Sequence, residues 1–279
     1  MPFKQYVRAE IAAQLDETYR FETWAADMPG EAYFDVHVSV IEARELCVPL
    51  LRRRLPGSGL RILESGCGSG RWLAFFERLG HRPVGIDDSV GPLAVAARHA
   101  PRLLLVRGDA LATPFPAASF DVVFSSYVAE HFEDGLDALL REARRLLVPS
   151  GLLILIVPYD SLFRRLVTHR VLSLFYIWCR LRGRPLAFTE FRFSRAEVEG
   201  ALDGAGFRVE ETAPDDFHTP WAKGLSLDLG RLVRRRGAAP GTWELNGFGR
   251  ALASGLGALS PWTACAGILC VARVRAHVD

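Results

Sequence analysis

Short apolar runs alternate with amphipathic stretches through the middle of the chain. The runs LRILESG (60–66), RPVGIDD (82–88), RLLLVRGD (102–109), SFDVVFSSY (119–127) and LLILIVPY (152–159) predict five strands. The stretches between them repeat apolar residues at three- and four-residue spacing, which predicts helices. Strands that are apolar almost throughout are typical of a parallel sheet covered on both faces. The pattern therefore predicts an α/β fold with a doubly wound, mostly parallel sheet.

The pattern changes on both sides of this core. Residues 1–55 show helical spacing and end at the breaker PGSG (56–59), so we expect an N-terminal helical segment followed by a domain over 56–279. Residues 159–193 and 214–260 interrupt the alternation and are predicted to be insertions in that domain. The first insertion is expected to form a helical lid after the fifth strand, and the second is expected to be irregular.

Two later stretches resume the alternation. FSRAEVEGALDGAGF (193–207) predicts a helix capped by Ser194 and then a strand, and GILCVARV (267–274) predicts the last strand. Ligands of doubly wound sheets bind beyond the carboxyl ends of the strands. A lid that follows the fifth strand would therefore cover a bound ligand.

Charge and cysteine usage exclude several classes of protein. The chain has 34 Lys and Arg against 32 Asp and Glu, a net charge of +2, which is too small an excess for a dedicated nucleic-acid-binding protein. Its five cysteines have no CxxC spacing, so we expect neither a disulfide framework nor a zinc site. This usage, with no apolar signal-like run near residue 1, favours a reducing, cytoplasmic location.

Two apolar stretches bear on contact with a membrane. Residues 251–272 carry no charge, but Pro261 interrupts them, so a small-residue helix followed by a buried strand is expected rather than a span. Residues 161–181 are basic and rich in aromatic side chains. A covering lid is the first interpretation of this segment, and peripheral membrane contact is the alternative. As a lid, its apolar side chains favour a sizeable apolar or aromatic ligand.

Glycines occupy positions 66, 68 and 70, between the first predicted strand of the sheet and a helix. Glycine allows the backbone to approach a ligand closely, and a helix N-terminus presents free N–H groups. The dinucleotide fingerprint GxGxxG requires a third glycine at position 71, where Arg71 stands. The glycines alone therefore indicate a nucleotide-like ligand without identifying it.

Acidic residues end the next two predicted strands. The carboxylate of Asp87 suits the hydroxyls of a ribose, a role found in NAD sites and in other adenosine sites. At the end of the third strand, Asp109 could accept a hydrogen bond from an adenine amino group, and the Ala110 N–H could donate one to a ring nitrogen. Three such strand ends in succession favour an adenosine-containing cofactor.

Five stretches carry a resemblance to a known family. They are ILESGCGSGRWL, PVGIDDSV, VRGDALATPFPAASFDVVFSSYVAEHFED, LREARRLLVPSGLLILIVP and FSRAEVEGALDGAGFRV, in this order along the chain. Together they resemble the class I S-adenosylmethionine-dependent methyltransferases, especially the group of the ubiquinone and menaquinone biosynthesis enzymes. The resemblance implies a seven-stranded Rossmann-like fold, S-adenosyl-L-methionine as cofactor with S-adenosyl-L-homocysteine as product, and methyl transfer to an oxygen, nitrogen or carbon of a small apolar or aromatic acceptor.

The resemblance also implies a set of cofactor contacts. Glu64, Gly66, Gly68 and Gly70 would lie along the methionine part, Asp87 and Asp88 at the ribose, Asp109 and Ala110 at the adenine, and Ser125 beside the sulfonium. The segment 1–55 would cover this site.

The turn SSYVAEHFED (125–134) follows the fourth strand, where the resemblance places the reacting methyl group. His131 is a candidate general base and Tyr127 a candidate acceptor contact, although a Glu-His pair that only shapes the turn is the alternative. Because Tyr127 stands three positions before Glu130, we expect no required metal. Four further candidates for substrate contacts come from the covering segments: Tyr33, His37, Glu190 and Arg192.

Three other functions remain open from the sequence. An NAD-dependent oxidoreductase would use the same fold, and Arg71 argues against it. A non-catalytic cofactor-binding module would retain the same cofactor residues. A modifier of protein or RNA is disfavoured by the apolar lid and by the absence of a basic stripe.

Overall fold

The structure is a computed structural model, and it describes residues 1–10, 35, 38–39, 41–42, 45–132, 136–215, 223–236 and 243–275. Its strands are β1 (Phe3–Arg8), β2 (Arg61–Ser65), β3 (Arg82–Asp87), β4 (Leu104–Arg107), β5 (Phe120–Ser126), β6 (Leu147–Pro158), β7 (Leu186–Arg192), β8 (Phe207–Asp215), β9 (Arg234–Arg236), β10 (Trp243–Leu245) and β11 (Gly267–Val274). Its α-helices are α1 (Val48–Arg54), α2 (Arg71–Arg78), α3 (Val90–His99), α4 (Leu136–Leu146), α5 (His169–Leu181), α6 (Arg195–Gly204), α7 (Lys223–Leu229) and α8 (Gly247–Leu259).

Seven strands form one sheet in the order β4-β3-β2-β5-β6-β11-β8. Neighbouring strands from β4 to β6 pair in parallel, and β11 pairs antiparallel with both β6 and β8. The predicted doubly wound, mostly parallel sheet of seven strands is thereby confirmed. The direction of the strand order reverses between β2 and β5, and such a switch point is where ligands bind in sheets of this type.

Both faces of the sheet are covered, which explains why the strands are apolar almost throughout. Val122 and Phe124 of β5 belong to the core beneath α2, whereas Val123 belongs to the core beneath α4. On the α2 side, the rings of Trp72 and Phe76 each lie 5.1 Å from the ring of Phe124. This packing fixes α2, and with it the glycine turn that precedes α2.

The N-terminal segment begins with a strand, so the prediction that it is helical is wrong there. Residues Phe3–Arg8 pair antiparallel with β7, with Gln5 opposite Glu190. The short stretch FKQYVR gives little local signal, and its partner is remote in the sequence. At the far end of the segment, α1 agrees with the predicted helical character.

The first insertion contains the expected helix and then a strand that was not expected. Residues Arg164–Thr168 form a π-helical turn that leads into α5, and the chain returns to the sheet through β7. The hydroxyl of Tyr176 on α5 accepts a hydrogen bond from the Tyr6 amide at 3.0 Å. The N-terminal strand therefore fastens both α5 and β7 over the carboxyl edge of the sheet.

The second insertion is more regular than predicted. It contains α7, the two-stranded sheet of β9 and β10, and α8, which is the expected small-residue helix and ends at Leu259. These elements bury a small apolar cluster of their own, formed by Leu225, Val233, Leu245 and Ala253. Before it, α6 begins with a capping box: the Ser194 hydroxyl accepts from the Glu197 amide, and the Glu197 carboxylate accepts from the Ser194 amide at 2.9 Å. The predicted Ser194 cap is confirmed. None of the described helices has the length and apolarity needed to cross a bilayer.

Candidate active site

The glycine turn lies at the carboxyl end of β2, at the switch point of the sheet. Gly66 has φ +76° and Gly68 has φ +50°, a backbone region that residues other than glycine rarely adopt. A Cβ on Gly66 would lie 2.3 Å from the Val128 side chain, so the turn packs directly against the segment that follows β5. A Cβ on Gly68 would meet nothing within 4 Å. The backbone at Gly68 therefore faces open space beside the strand ends.

Asp87 ends β3 and supports the glycine turn. Its Oδ2 accepts a hydrogen bond from the Gly68 amide at 2.8 Å, and its Oδ1 accepts one from the Ser89 amide at 2.9 Å. A carboxylate has about four acceptor positions, so two remain for a ligand. Asp88 is exposed, and its carboxylate accepts only from the neighbouring Ser89 hydroxyl at 3.0 Å among the described residues. The two acids therefore differ in orientation, and Asp87 is the one that reaches the turn.

The end of β4 leads to Asp109 and Ala110. Asp109 is exposed, and its Oδ1 accepts a hydrogen bond from the Leu111 amide at 2.8 Å, which makes a local turn. Ala110 is half-buried and packs against the core on the α4 side of the sheet. Both residues therefore lie at the carboxyl edge, two strands away from the glycine turn.

Two buried polar groups at the ends of β2 and β5 lack protein partners in the described part of the chain. They are Oε2 of Glu64 and Oγ of Ser125. Burial raises the pKa of Glu64 well above its ordinary value, although the nearby Arg71 cation and the Leu73 amide oppose the shift. A buried polar atom without a partner is destabilising by roughly 1–3 kcal/mol. Native proteins rarely leave such atoms unsatisfied, so these two indicate a ligand or water at the strand ends.

The segment after β5 brings Tyr127, Glu130 and His131 to the same edge. Tyr127 has φ +56°, which is unusual for an aromatic residue, and its hydroxyl donates to Oδ2 of Asp215 at 2.9 Å. Glu130 is buried, and burial together with the Glu190 carboxylate raises its pKa well above the ordinary value. The sequence offered no local signal for Asp215, because it ends β8, far along the chain from Tyr127.

His131 is open to solvent on one side and fixed on the other. Its side chain is 57% exposed, and its Nδ1 lies 2.7 Å from the carbonyl oxygen of Thr189 on β7. Because a carbonyl oxygen only accepts, Nδ1 carries the proton, and Nε2 of the neutral ring keeps its lone pair. Nε2 lies 3.9 Å from Oε1 of Glu130.

Glu190 and Arg192, the two candidates from the return of the lid, lie on β7. Glu190 is 25% exposed, whereas the Arg192 side chain is 4% exposed and lies in a buried ion cluster. Arg192 Nε is 3.3 Å from Oε1 of Glu190, and its Nη2 is 3.1 Å from Oδ1 of Asp228. Sequence reasoning did not find Asp228, because it lies on α7 in the stretch that was predicted to be irregular. Tyr33 and His37 lie outside the described residues.

No group of three or more His, Cys, Asp and Glu side chains within the described ranges is arranged to hold a metal ion. The candidate site consists of the glycine turn, the buried carboxyl and hydroxyl groups at the strand ends, and the ion cluster beneath the lid.

Comparison with known proteins identifies the family. A family model described as a methyltransferase domain matches residues 63–155. The ubiquinone biosynthesis O-methyltransferase of Azorhizobium caulinodans is 32% identical over 183 residues, which cover 62% of this chain and 70% of that protein. A ubiquinone biosynthesis O-methyltransferase of Bradyrhizobium sp. is 36% identical over 100 residues, which cover 35% of this chain but only 39% of that protein.

The fold is also shared with solved structures. The geranyl diphosphate C-methyltransferase of Streptomyces coelicolor, crystallised with S-adenosyl-L-homocysteine, superposes with a TM-score of 0.58 at 15% identity and covers 88% of this chain and 85% of its own. At that identity the likeness concerns the fold alone. Together with the sequence relatives, it identifies the chain as a member of the class I S-adenosylmethionine-dependent methyltransferases.

Proposed function

We propose that the protein transfers the methyl group of S-adenosylmethionine to a hydroxyl oxygen of a small aromatic acceptor. The relatives named as O-methyltransferases of ubiquinone biosynthesis support an oxygen as the methylated atom. The observation that carries the proposal is the set of groups at the switch point: Asp87 supports an open glycine turn, and the buried Glu64 carboxyl and Ser125 hydroxyl lack protein partners. These groups fit a ligand with three kinds of surface. Its hydroxyl groups would donate to the lone pairs of Asp87, and its amino group would donate to the unpartnered oxygen of Glu64. An uncharged part would occupy the open space at Gly68.

We assign the cofactor contacts as follows. Glu64 would bind the amino end of the methionine part, Gly66, Gly68 and Gly70 would line it, Asp87 would accept from the ribose hydroxyls, Asp109 and Ala110 would bind the adenine, and Ser125 would lie beside the sulfonium. The carboxylate of Asp88 is exposed and accepts no hydrogen bond from the glycine turn among the described residues, so we give it no direct role. The cofactor supplies an electrophilic methyl group when bound, and the residues of the chain bind it, orient the acceptor and exclude water.

We propose His131 as the general base at its Nε2 atom. The Thr189 carbonyl holds the ring in the tautomer that has a free lone pair on Nε2, which is the form that can accept a proton from a hydroxyl. The Tyr127 hydroxyl, held by Asp215, would contact the acceptor on the other side of the turn. The relatives' names and the aromatic lid both favour a ring-bearing, largely apolar acceptor.

The cofactor assignment is tested by comparing two adjacent acids. We expect Asp87→Ala to weaken the binding of S-adenosylhomocysteine by roughly 10- to 100-fold, because charge-assisted hydrogen bonds to the ribose are lost. Asp88→Ala is the matched control and should change the dissociation constant by less than about 2-fold. Isothermal titration calorimetry measures both, with thermal unfolding of each variant to show that the fold is intact.

Equal effects of the two substitutions would overturn the assignment. A parallel titration with NADH should give no binding, and binding of NADH with no binding of S-adenosylhomocysteine would favour the oxidoreductase alternative. Binding of S-adenosylhomocysteine with no turnover of any catechol would favour a non-catalytic module.

We further propose peripheral contact with a membrane through residues 161–181. This segment carries large apolar side chains that are unusually open to solvent, including Leu166 (63% exposed), Leu174 (69%) and Leu181 (81%). It contains four arginines and no acidic residue. Exposed apolar side chains beside cationic ones are typical of a helix that lies in the interface of an anionic bilayer.

A further inference from the structure

A buried ion cluster lies beneath the lid, where three separate elements meet. Arg164 comes from the π-helical turn before α5, Arg192 from the end of β7 and Asp228 from α7. Their side chains are all less than 5% exposed. Two guanidinium groups thus share one buried carboxylate: Arg164 Nε lies 2.8 Å from Oδ2 of Asp228, and Arg192 Nη2 lies 3.1 Å from Oδ1.

The hydrogen bonds of the two arginines are satisfied to different degrees. Arg164 donates to Asp228, to the Tyr159 carbonyl at 2.7 Å and to the Ala266 carbonyl at 2.9 Å. Arg192 donates from Nε to Glu190, but its Nη1 is buried without a hydrogen-bond partner in the part of the chain that the structure describes. A buried donor on a charged group that makes no hydrogen bond is especially unfavourable. Arg164 therefore has a structural role, whereas the Nη1 donor of Arg192 is available to bind a ligand.

Two carboxylates, Asp228 and Glu190, face the two guanidinium groups of Arg164 and Arg192. Burial and the nearby Arg164 cation lower the pKa of Arg192 from its ordinary value, against the opposing effects of Asp228 and Glu190. His169 does not add to the charge near neutral pH, because burial and the two arginines lower its pKa to about 4. An oxygen acceptor at Nη1 would satisfy the donor of Arg192 that has no partner among the described residues.

The cluster is connected to the candidate active site. Arg164 donates to the Ala266 carbonyl, the Ala266 amide donates to the Asp215 carbonyl at 3.1 Å, and the Asp215 side chain accepts from Tyr127. On the other side, Glu190 contacts Arg192, and the adjacent Thr189 fixes His131. The cluster is thus linked to Tyr127 through Ala266 and Asp215, and to His131 through the β7 residues Glu190 and Thr189. Glu190, which contacts the cluster through Arg192, is 25% exposed.

We propose that Nη1 of Arg192 binds an anionic oxygen of the methyl acceptor. This inference rests on the proposed function and adds to it the charge of the substrate. Two sources share the chemistry: a carboxylate attached to the aromatic ring, or the phenolate of a ring hydroxyl. A carboxylate would be held as a fixed anchor, whereas a phenolate would be stabilised as its hydroxyl loses a proton.

The test uses three probes that differ in charge: 3,4-dihydroxybenzoate, 3,4-dihydroxybenzamide and catechol. Their dissociation constants are measured by calorimetry with saturating S-adenosylhomocysteine, for the wild type and for Arg192→Gln and Arg192→Lys. Arg192→Gln should fold, because Asp228 keeps its bond to Arg164. Arg141→Gln, an exposed substitution on α4, is the matched control.

If a carboxylate is bound, the wild type prefers the benzoate to the benzamide, and Arg192→Gln weakens the benzoate alone by roughly 10- to 100-fold. If a phenolate is bound, Arg192→Gln weakens all three probes, and the loss grows as pH rises toward the pKa of the catechol hydroxyl. Arg192→Lys should retain part of the affinity in both cases, and Arg141→Gln should retain all of it.

The proposal is overturned if the wild type binds none of the probes, if Arg192→Gln binds all three as the wild type does, or if a crystal structure with a bound catechol shows only water at Nη1. Failure of the proposed function is a separate result, because the wild type would then not bind S-adenosylhomocysteine even before any probe is added.

Discussion

At the scale of single residues, the site depends on backbone positions that few side chains permit. Gly66 and Gly68 share a left-handed conformation but differ in their surroundings. A side chain at Gly66 would collide with Val128, whereas one at Gly68 would enter the space that we assign to the cofactor. Glycine is therefore required at these two positions for different reasons: packing against Val128 at Gly66, and space for a ligand at Gly68.

This difference gives a prediction for two matched substitutions. Gly66→Ala should lower the thermal unfolding midpoint strongly, because backbone strain is joined by a contact of 2.3 Å with Val128. Gly68→Ala should be destabilising by only about 1–2 kcal/mol, the strain of a left-handed alanine. Its larger effect should be on S-adenosylhomocysteine affinity, measured by calorimetry. A Gly68→Ala variant that binds as tightly as the wild type would contradict the placement of the cofactor.

Only some residues of the candidate site can be predicted from the sequence. Gly66, Gly68 and Asp87 follow strands that are recognisable locally, and the structure brings them together as expected. Asp215 and Asp228 gave no such signal, because their partners Tyr127 and Arg192 are far away in the sequence. Polar residues that act through distant partners become identifiable only when the fold is known.

At the scale of elements, the same distinction explains the errors in the predicted fold. The central strands are recognised because both faces are buried and the apolar run is continuous. The strand at Phe3–Arg8 was missed because its stabilisation comes from β7 rather than from its own pattern. The second insertion was predicted to be irregular because its elements are short and bury only a small cluster.

The docking of α5 gives a prediction about pH. The His169 ring stacks on Phe3 at 3.5 Å between centroids and faces Arg164, Arg165, Arg192, Asp160 and Asp228. Its folded-state pKa of about 4 lies below the unfolded value of about 6.5, so the unfolded chain binds the proton more strongly. Stability from this group is therefore complete above about pH 6.5 and is lost as pH falls toward 4.

We expect His169→Phe to remove this dependence while it keeps the ring stacked on Phe3. Between pH 7.5 and pH 5.0 the wild type should lose about 2 kcal/mol more unfolding free energy than the variant does. Urea titrations at the two pH values measure the difference, in which the other titrating groups largely cancel. Equal losses for the two proteins would show that His169 does not control the acid sensitivity of the lid.

At the scale of the whole molecule, apolar exposure is concentrated on one surface. The π-helical turn and α5 together expose Leu166, Val167, Val171, Leu174, Phe175, Ile177, Trp178 and Leu181. Arg182 and Arg184 lie over the Trp178 ring, at 5.6 and 4.8 Å from its centroid. Cations beside an aromatic ring at the border of an apolar surface suit the headgroup region of a bilayer.

This surface predicts binding to anionic vesicles. The protein should sediment with phosphatidylcholine vesicles that contain phosphatidylglycerol, and less with phosphatidylcholine alone or at high salt, because the arginines are screened. Leu174→Glu with Leu181→Glu should reduce the bound fraction several-fold. Leu104→Glu is the control, since that leucine is 64% exposed and lies on β4, an edge strand of the seven-stranded sheet. An equal loss for the control would contradict contact through 161–181.

All five cysteines of the chain are buried and free, and burial raises the pKa of Cys67, within the glycine turn, above its ordinary value. A thiol in this state resists alkylation until the surrounding backbone opens. Cys67 therefore serves as an internal reporter of how often the turn opens, without any label having to be introduced. Saturation with S-adenosylhomocysteine should slow iodoacetamide modification at Cys67, followed by peptide mass spectrometry, while Cys270 on β11 reacts at an unchanged rate.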